Sequence, residues 1–214
     1  MTSAKKITVA VADTGSGNLR SVEKALTVAG ADVVVTSDAD KIARADKIVV
    51  PGQGAFGGCV AGLDRGGGAL REAVLESIRA GRPYLGICLG LQVLFEASEE
   101  DPGCVGLGVF PGRVRRFVDR PGLKIPHMGW NETHRGPAAT EGSNVLATTP
   151  EGTPFYFVHS YYPDPARAED VALSSEHGVK FCVAVARDNV FACQFHPEKS
   201  QAAGLALMRR FVAA

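Results

Sequence analysis

In the first half of the chain, short apolar runs alternate with runs of helical period. Residues 7–12 are apolar or small, and Leu19, Val22, Ala25, Leu26 and Ala29 then recur at helical spacing. Asn18 is placed to cap a helix over 19–29, and Gly30 to stop it. Residues 33–36 and 47–50 are β-branched runs, residues 69–80 an amphipathic helix ended by Gly81, and residues 84–87 a further strand. This alternation predicts a parallel sheet with helices on both faces. The second half changes period. Residues 113–117, 155–158, 171–175, 181–187 and 190–194 are strand-like with little helix between them, and Asp188-Asn189 is a hairpin turn signal. Antiparallel strands extending the parallel core are expected, closed by a helix over 202–213. Residues 121–141 read as a long irregular stretch, with 136–143 as a mobile surface loop.

The strand at 84–87 runs into Gly86-Ile87-Cys88-Leu89-Gly90, and a helix-compatible run over 91–97 follows. Strand, sharp turn and helix with a thiol at the turn make a nucleophile elbow in its cysteine form. Its flanking glycines leave room for a strained backbone and close strand–helix packing. The helix N-terminus beside Cys88 favours a thiolate. In open α/β sheets, sites gather beyond the carboxyl ends of the strands, where Cys88 falls. Far along the chain, His196-Pro197-Glu198 follows the strand-like 190–194. Pro197 cannot continue a ladder, so Glu198 is free to turn back on the imidazole. A Cys88–His196–Glu198 triad is expected, with His196 as base and Glu198 as its orienter. Oxyanion donors are expected from the backbone: the N–H of Leu89, and a second from Pro51-Gly52-Gln53-Gly54, which ends another strand.

The chain has 214 residues, which suits one domain with an ample core. Lys+Arg and Asp+Glu are 23 each, so bulk charge points to neither a nucleic-acid nor a membrane partner. The basic run Arg113-Val114-Arg115-Arg116 reads as a solvated strand face. Residues 7–12 are too short for a signal-peptide core, and no apolar run approaches a membrane span. Five cysteines without CxxC spacing suit a reducing cytoplasm. Cys59, Cys104, Cys182 and Cys193 are expected to be inert. Gly15-Ser16-Gly17-Asn18 lacks the rest of a dinucleotide fingerprint, because position 20 is arginine. The five histidines lie far apart with no HExxH, so neither a metal nor a cofactor is expected.

These residues resemble the class I, triad-type glutamine amidotransferases over nearly the whole chain. Further strings narrow the likeness: Asp13 to Ser21, Pro51 to Phe56, Lys124-Ile125-Pro126-His127-Met128-Gly129-Trp130-Asn131, Tyr156 to Tyr162, and Gln194 to Ser200. They resemble the glutaminase subunits of imidazole glycerol phosphate synthase. The resemblance implies a flavodoxin-like α/β fold with a mostly parallel sheet, and a single glutamine amidotransferase type 1 domain over 1–214. It implies that Cys88 forms a glutamyl thioester and that Leu89 and Gly52 to Gly54 form the oxyanion hole, with Gln53 contributing only its backbone. By the same resemblance, Gln92 and Glu96 contact glutamine from one face of the helix after the elbow, and Ser160 and Tyr161 hold its α-amino and α-carboxyl groups. Asn18, Trp130 and Lys199 resemble partner-facing positions. The partner implied is a separate (β/α)8 cyclase subunit in a cytoplasmic heterodimer for histidine biosynthesis. Ammonia would reach it by a shielded path. Three alternatives stand beside this. A glutaminase subunit of another synthase is opposed by the Pro126-to-Asn131 string, and a silent regulatory module by the intact triad. A cysteine hydrolase on a related fold would act on amides other than glutamine.

Overall fold

The computed structural model describes residues 6–139, 145 and 149–214. The first half is β1 (Thr8–Ala12), α1 (Leu19–Val28), β2 (Asp32–Thr36), α2 (Ala39–Arg44), β3 (Lys47–Gly52), α3 (Phe56–Asp64), α4 (Ala69–Arg79), β4 (Tyr84–Cys88) and α5 (Leu89–Gln92). Then come β5 (Phe95–Ser98), β6 (Phe110–Arg116), β7 (His127–Arg135), β8 (Thr153–His159), β9 (Tyr161–Pro165), β10 (Val171–Glu176), β11 (Lys180–Arg187), β12 (Val190–Cys193) and α6 (Gln201–Ala213).

The main sheet has nine strands in the order β2-β1-β3-β4-β12-β11-β10-β7-β8. Its first five are parallel, β12 pairing with β4 from Val190↔Tyr84 to Cys193↔Ile87. From β11 onward the pairing is antiparallel. A three-stranded sheet of β5, β6 and β9 stands beside it. Alternation along the parallel strands divides the core between two faces. Val9, Val11, Val49, Leu85 and Ile87 face Val22 and Leu26 of α1 and Leu207 and Phe211 of α6. Ala10, Ile48, Val50 and Tyr84 face Ile42 of α2, Leu63 of α3 and Val74 of α4. Among the described residues, no helix is long and apolar enough to cross a membrane.

Several expectations change. Residues 121–141 are not irregular throughout, because 127–135 form β7, paired with β8 from His127↔His159 to Thr133↔Thr153. Its inward positions are polar and its outward ones include Met128 and Trp130, which inverts the usual pattern. Residues 140–143 of the expected loop lie outside the described residues. The helix after the elbow lasts one turn, and 95–98 are strand. Asn18 stands at the start of α1 but makes no side-chain cap; its carbonyl accepts from Ser21 and Val22 instead. Two helices carry no clear period. In α2 the cap is Asp38, whose carboxylate accepts from Asp40 N at 2.9 Å. In α3 the glycines disguise a helix that presses against the loop after β1: a Cβ on Gly62 would meet Thr14 O at 2.0 Å. The 188–189 turn is present, with Asp188 at φ 52°, as a tight hairpin requires.

Candidate active site

Cys88 ends β4 at φ 55°, ψ −106°, a strained conformation for a non-glycine residue. Contacts too close for side chains impose it. A Cβ on Gly86 would lie 2.4 Å from Gly90 O, and one on Gly90 would lie 1.7 Å from Val50 O. The Tyr84 hydroxyl donates to Gly90 O at 2.8 Å, tying the strand's start to the turn. Cys88 is 6% exposed and faces a cavity of about 470 Å³.

The base arrives from β12. Past that strand, His196 N donates to Tyr156 O, and Ser200 Oγ donates to His196 O at 2.6 Å while accepting from Tyr156 N. Pro197–Lys199 make one 3-10 turn. It brings Glu198 Oε1 to 2.9 Å from His196 Nδ1, with both side chains buried. An imidazole that donates from Nδ1 to a carboxylate leaves Nε2 for a proton partner. That Nε2 is buried without a conventional hydrogen-bond partner among the described residues. Burial alone would lower the imidazole's proton affinity. Close contact with the Cys88 sulfur and the Glu198 carboxylate outweighs it and raises His196 to about 9.

Beside the sulfur, β3 and β4 run in register so that Gly52 pairs with Cys88. A Cβ on Gly52 would meet Leu89 Cβ at 2.6 Å, so only glycine lets the Pro51–Gly54 loop lie against the turn. Gln53 and Gly54 line the cavity, Gly54 at φ +106°. Across the cavity lie Gln92, Pro126, Ser160, Tyr161 and Lys199. Gln92 Nε2 donates to Tyr161 O at 3.0 Å and to Gln194 Oε1 at 2.9 Å, while its Oε1 is buried without a partner among the described residues.

Glu96 is a correction. It does not share a helix face with Gln92, because the chain has already left α5. Glu96 is exposed on β5, where it accepts from Gly112 N at 3.0 Å, and it does not line the cavity. The acidic side chain that does line it is Glu100. Burial raises the Glu100 carboxyl above its ordinary range, although the N–H of Phe56, 2.8 Å from Oε2, opposes this. The run Glu99-Glu100-Asp101 reads as a solvated charge cluster, and nothing in its spacing separates Glu100 from its neighbours.

Trp130 and Met128 are exposed on β7, paired across the ladder with Tyr156 and Val158, which line the cavity. Trp130 packs edge-on to Tyr156, over whose ring Lys199 Nζ sits at 6.0 Å. Next to Asn18, Gly17 approaches the backbone of Gly52 and Gln53. The histidines that sequence separates, the fold gathers. His127 lies 4.3 Å from His177, tilted by 30°, and 5.0 Å from His159, centroid to centroid. Among the described residues no cluster has the make-up of a metal site. Cys59, Cys182 and Cys193 are buried, and burial raises all three thiols, Cys59 to about 12.

The family description "Glutamine amidotransferase class-I" matches residues 10–214. The chain is 50% identical to the imidazole glycerol phosphate synthase subunit HisH of Nitrosomonas europaea, over 95% of this chain and 97% of the relative. Against the proteins of the same name from Acinetobacter baylyi and Methanothermobacter thermautotrophicus, identity is 45% and 48%, again over 95% and 97%. Among solved structures, a glutamine amidotransferase is similar at TM-score 0.69 and 21% identity, covering 96% of this chain and 97% of that one. The glutaminase domain of a Trypanosoma brucei CTPS is similar at TM-score 0.65 and 19% identity, covering 98% and 94%. At those identities the likeness is one of fold.

Proposed function

The chain belongs to the class-I glutamine amidotransferases and, within them, to the HisH subunits of imidazole glycerol phosphate synthase, and from that premise we propose that Cys88, His196 and Glu198 carry its hydrolysis of glutamine. It is an enzyme of histidine biosynthesis, the glutaminase subunit of that synthase. The observation that supports the residue assignment is the strained Cys88 beside a buried His196 whose Nδ1 is held by Glu198.

The Cys88 thiolate attacks the side-chain carboxamide carbon of glutamine. The C–N bond breaks as His196 Nε2 hands a proton to the leaving nitrogen, releasing ammonia and leaving a glutamyl thioester. His196 then takes a proton from water, whose oxygen attacks the thioester; glutamate leaves and the thiolate returns. Glu198 holds the imidazole ring and its charge. The oxyanion of both tetrahedral intermediates rests on the Leu89 N–H and on the Gly52–Gly54 backbone. Gln92, Ser160 and Tyr161 hold the amino-acid end, and Glu100 replaces Glu96 as the acidic group suited to the α-ammonium. The whole of 1–214 acts as this one domain, in the cytoplasm.

The partner is a (β/α)8 cyclase that takes the ammonia through a shielded path, docked on Trp130, Lys199 and Asn18. Free hydrolysis would waste glutamine, so the isolated chain is a poor glutaminase. The glycine-flanked Gln53 peptide is the element that docking would bias, and one oxyanion donor is worth about 3 kcal/mol in rate.

The test measures glutamate release by the chain alone, with cyclase, and with cyclase plus nucleotide ligand. Cys88→Ala should abolish release in all three while the melting temperature holds. Substantial turnover in folded Cys88→Ala would sink the assignment, and full turnover by the isolated wild-type chain would sink the switch.

A further inference from the structure

Polar side chains outside the triad also lie along a path to the Cys88 sulfur. It begins on β7. Asn131 Oδ1 accepts from Glu132 N at 2.9 Å, and its Nδ2 donates to Glu176 O at 2.8 Å. Two backbone groups thus fix which end of the amide is nitrogen. That nitrogen also lies 3.1 Å from His127 Nε2, which must therefore accept. A neutral His127 then carries its proton on Nδ1, 3.0 Å from His159 Nε2. His159 in turn carries its proton on Nδ1, 2.8 Å from the carbonyl of Tyr161, which can only accept. Backbone groups set both ends of this run independently, and the two agree on one tautomer for each ring. Burial keeps the rings neutral, lowering His127 to about 4 and His159 to about 3.

The run continues past Tyr161 O. Gln92 Nε2 donates to it, and spends its other proton on Gln194 Oε1. With its oxygen so engaged, Gln194 must turn its nitrogen the other way, and that Nε2 lies 3.5 Å from Cys88 Sγ. Gln194 is 0% exposed. The other ionisable groups facing the sulfur are His196 with Glu198 behind it, and the thiols Cys59 and Cys193, which burial holds protonated.

We infer that Gln194 is a further catalytic residue, an N–H donor to the Cys88 thiolate. Its polarity is set by the positioning residue Gln92, whose own amide is fixed by the Tyr161 carbonyl that His159 also uses. A neutral amide that donates to sulfur favours the thiolate over the thiol and also steadies it as the thioester's leaving group. This rests on the reading of Cys88 as nucleophile, and the test keeps the two apart.

The experiment follows alkylation of the full chain by iodoacetamide across pH, with the labelled cysteine located by mass spectrometry, and glutamine turnover in complex with cyclase. Gln194→Met keeps the volume and removes the donor. It should slow Cys88 alkylation at neutral pH about tenfold, the worth of one charge-assisted hydrogen bond, with the loss recovered at alkaline pH. In the complex, kcat should fall and KM for glutamine should change little. Gln194→Glu, an acceptor of the same size, should fall at least as far. Gln92→Met, which releases the Gln194 oxygen, should slow alkylation in the same direction by a few-fold, whereas His127→Phe, on the far side of the Tyr161 carbonyl, should not. A folded Gln194→Met with wild-type rate and pH profile overturns the inference. If neither Gln194 variant folds, a wild-type profile in Gln92→Met overturns it equally. Label on a cysteine other than Cys88 in the wild type would mean instead that the nucleophile is misassigned.

Discussion

The two halves of the active site are held in different ways. On the parallel side, the elbow is fixed by backbone packed on backbone. Gly86 lies under Gly90, and Gly90 against the carbonyl of Val50, with no space for one added carbon. On the antiparallel side, position is set by polar side chains: Ser200 clasping His196 and Tyr156, His127 against His159, Gln92 between Tyr161 and Gln194. Steric fixing tolerates no substitution but needs no partner. Polar fixing tolerates substitution of like for like and fails when one partner is lost. The nucleophile needs a strained backbone and is given the first kind. The base and the substrate contacts need defined proton directions and are given the second.

That contrast breaks first at Gly90. Gly90→Ala must move the β3 strand away from the elbow, and we expect more than about 4 kcal/mol lost, read as insoluble or unfolded chain. Soluble Gly90→Ala with wild-type melting would show that the packing yields. Next come the polar holders of the base. His196→Ala should lower single-turnover thioester formation about a thousandfold or more, and Glu198→Gln considerably less, because the ring remains. An equal loss would reverse their roles.

Acidification acts on the polar half alone, and its histidines respond with opposite signs. His127 and His159 have folded values of about 4 and about 3, below the ordinary 6.5, so the unfolded chain takes up protons first. Their contribution is complete above pH 6.5 and drains as the pH falls toward those values, by about 2 kcal/mol per ring at pH 5. His196, raised to about 9, has the opposite sign: its contribution is complete below 6.5 and is lost as pH rises through 9. Melting temperatures measured from pH 8 to 4.5 should fall on the acid side, and less steeply in His127→Asn. A flat acid limb would refute the buried neutral rings. Trp130→Ala should weaken cyclase binding by about 2 kcal/mol, read by titration calorimetry, without touching melting. Unchanged affinity would move the interface elsewhere. The smallest effect is expected at Gly58, in α3, where an added Cβ meets nothing within 4 Å. Gly58→Ala should stabilise by about 0.5–1 kcal/mol, the reverse of Gly90→Ala.

The same contrast decides what could be read from the chain. Steric fixing leaves glycines at set spacings, so the elbow and the Pro51–Gly54 loop are visible in sequence, as are the alternating strands and helices around them. Polar fixing leaves no period. In β7 the inward His127, Asn131 and Thr133 are polar and the outward Met128 and Trp130 apolar, so the strand resembles a loop. Residues 91–95 are buried without interruption, and such a run cannot say whether a helix continues or turns to strand. That ambiguity put Glu96 on a helix it does not occupy and left Glu100 unremarked. Gln194, buried at the end of a strand, gives no sign in sequence of which way its amide points.

One more consequence follows from where β12 lies. It is among the last strands to be synthesised, yet it stands mid-sheet between β4 and β11. Tyr84–Cys88 is made about a hundred residues before Val190–Cys193, the strand that leads to the base. Until that segment inserts, β4 and β11 are both open edges and the sheet is two unjoined pieces. Insertion closes a long loop, the slow kind of step in folding. Catalytic competence should therefore arise in one event with global closure, so that a nascent or partly folded chain displays its thiol without the means to consume glutamine.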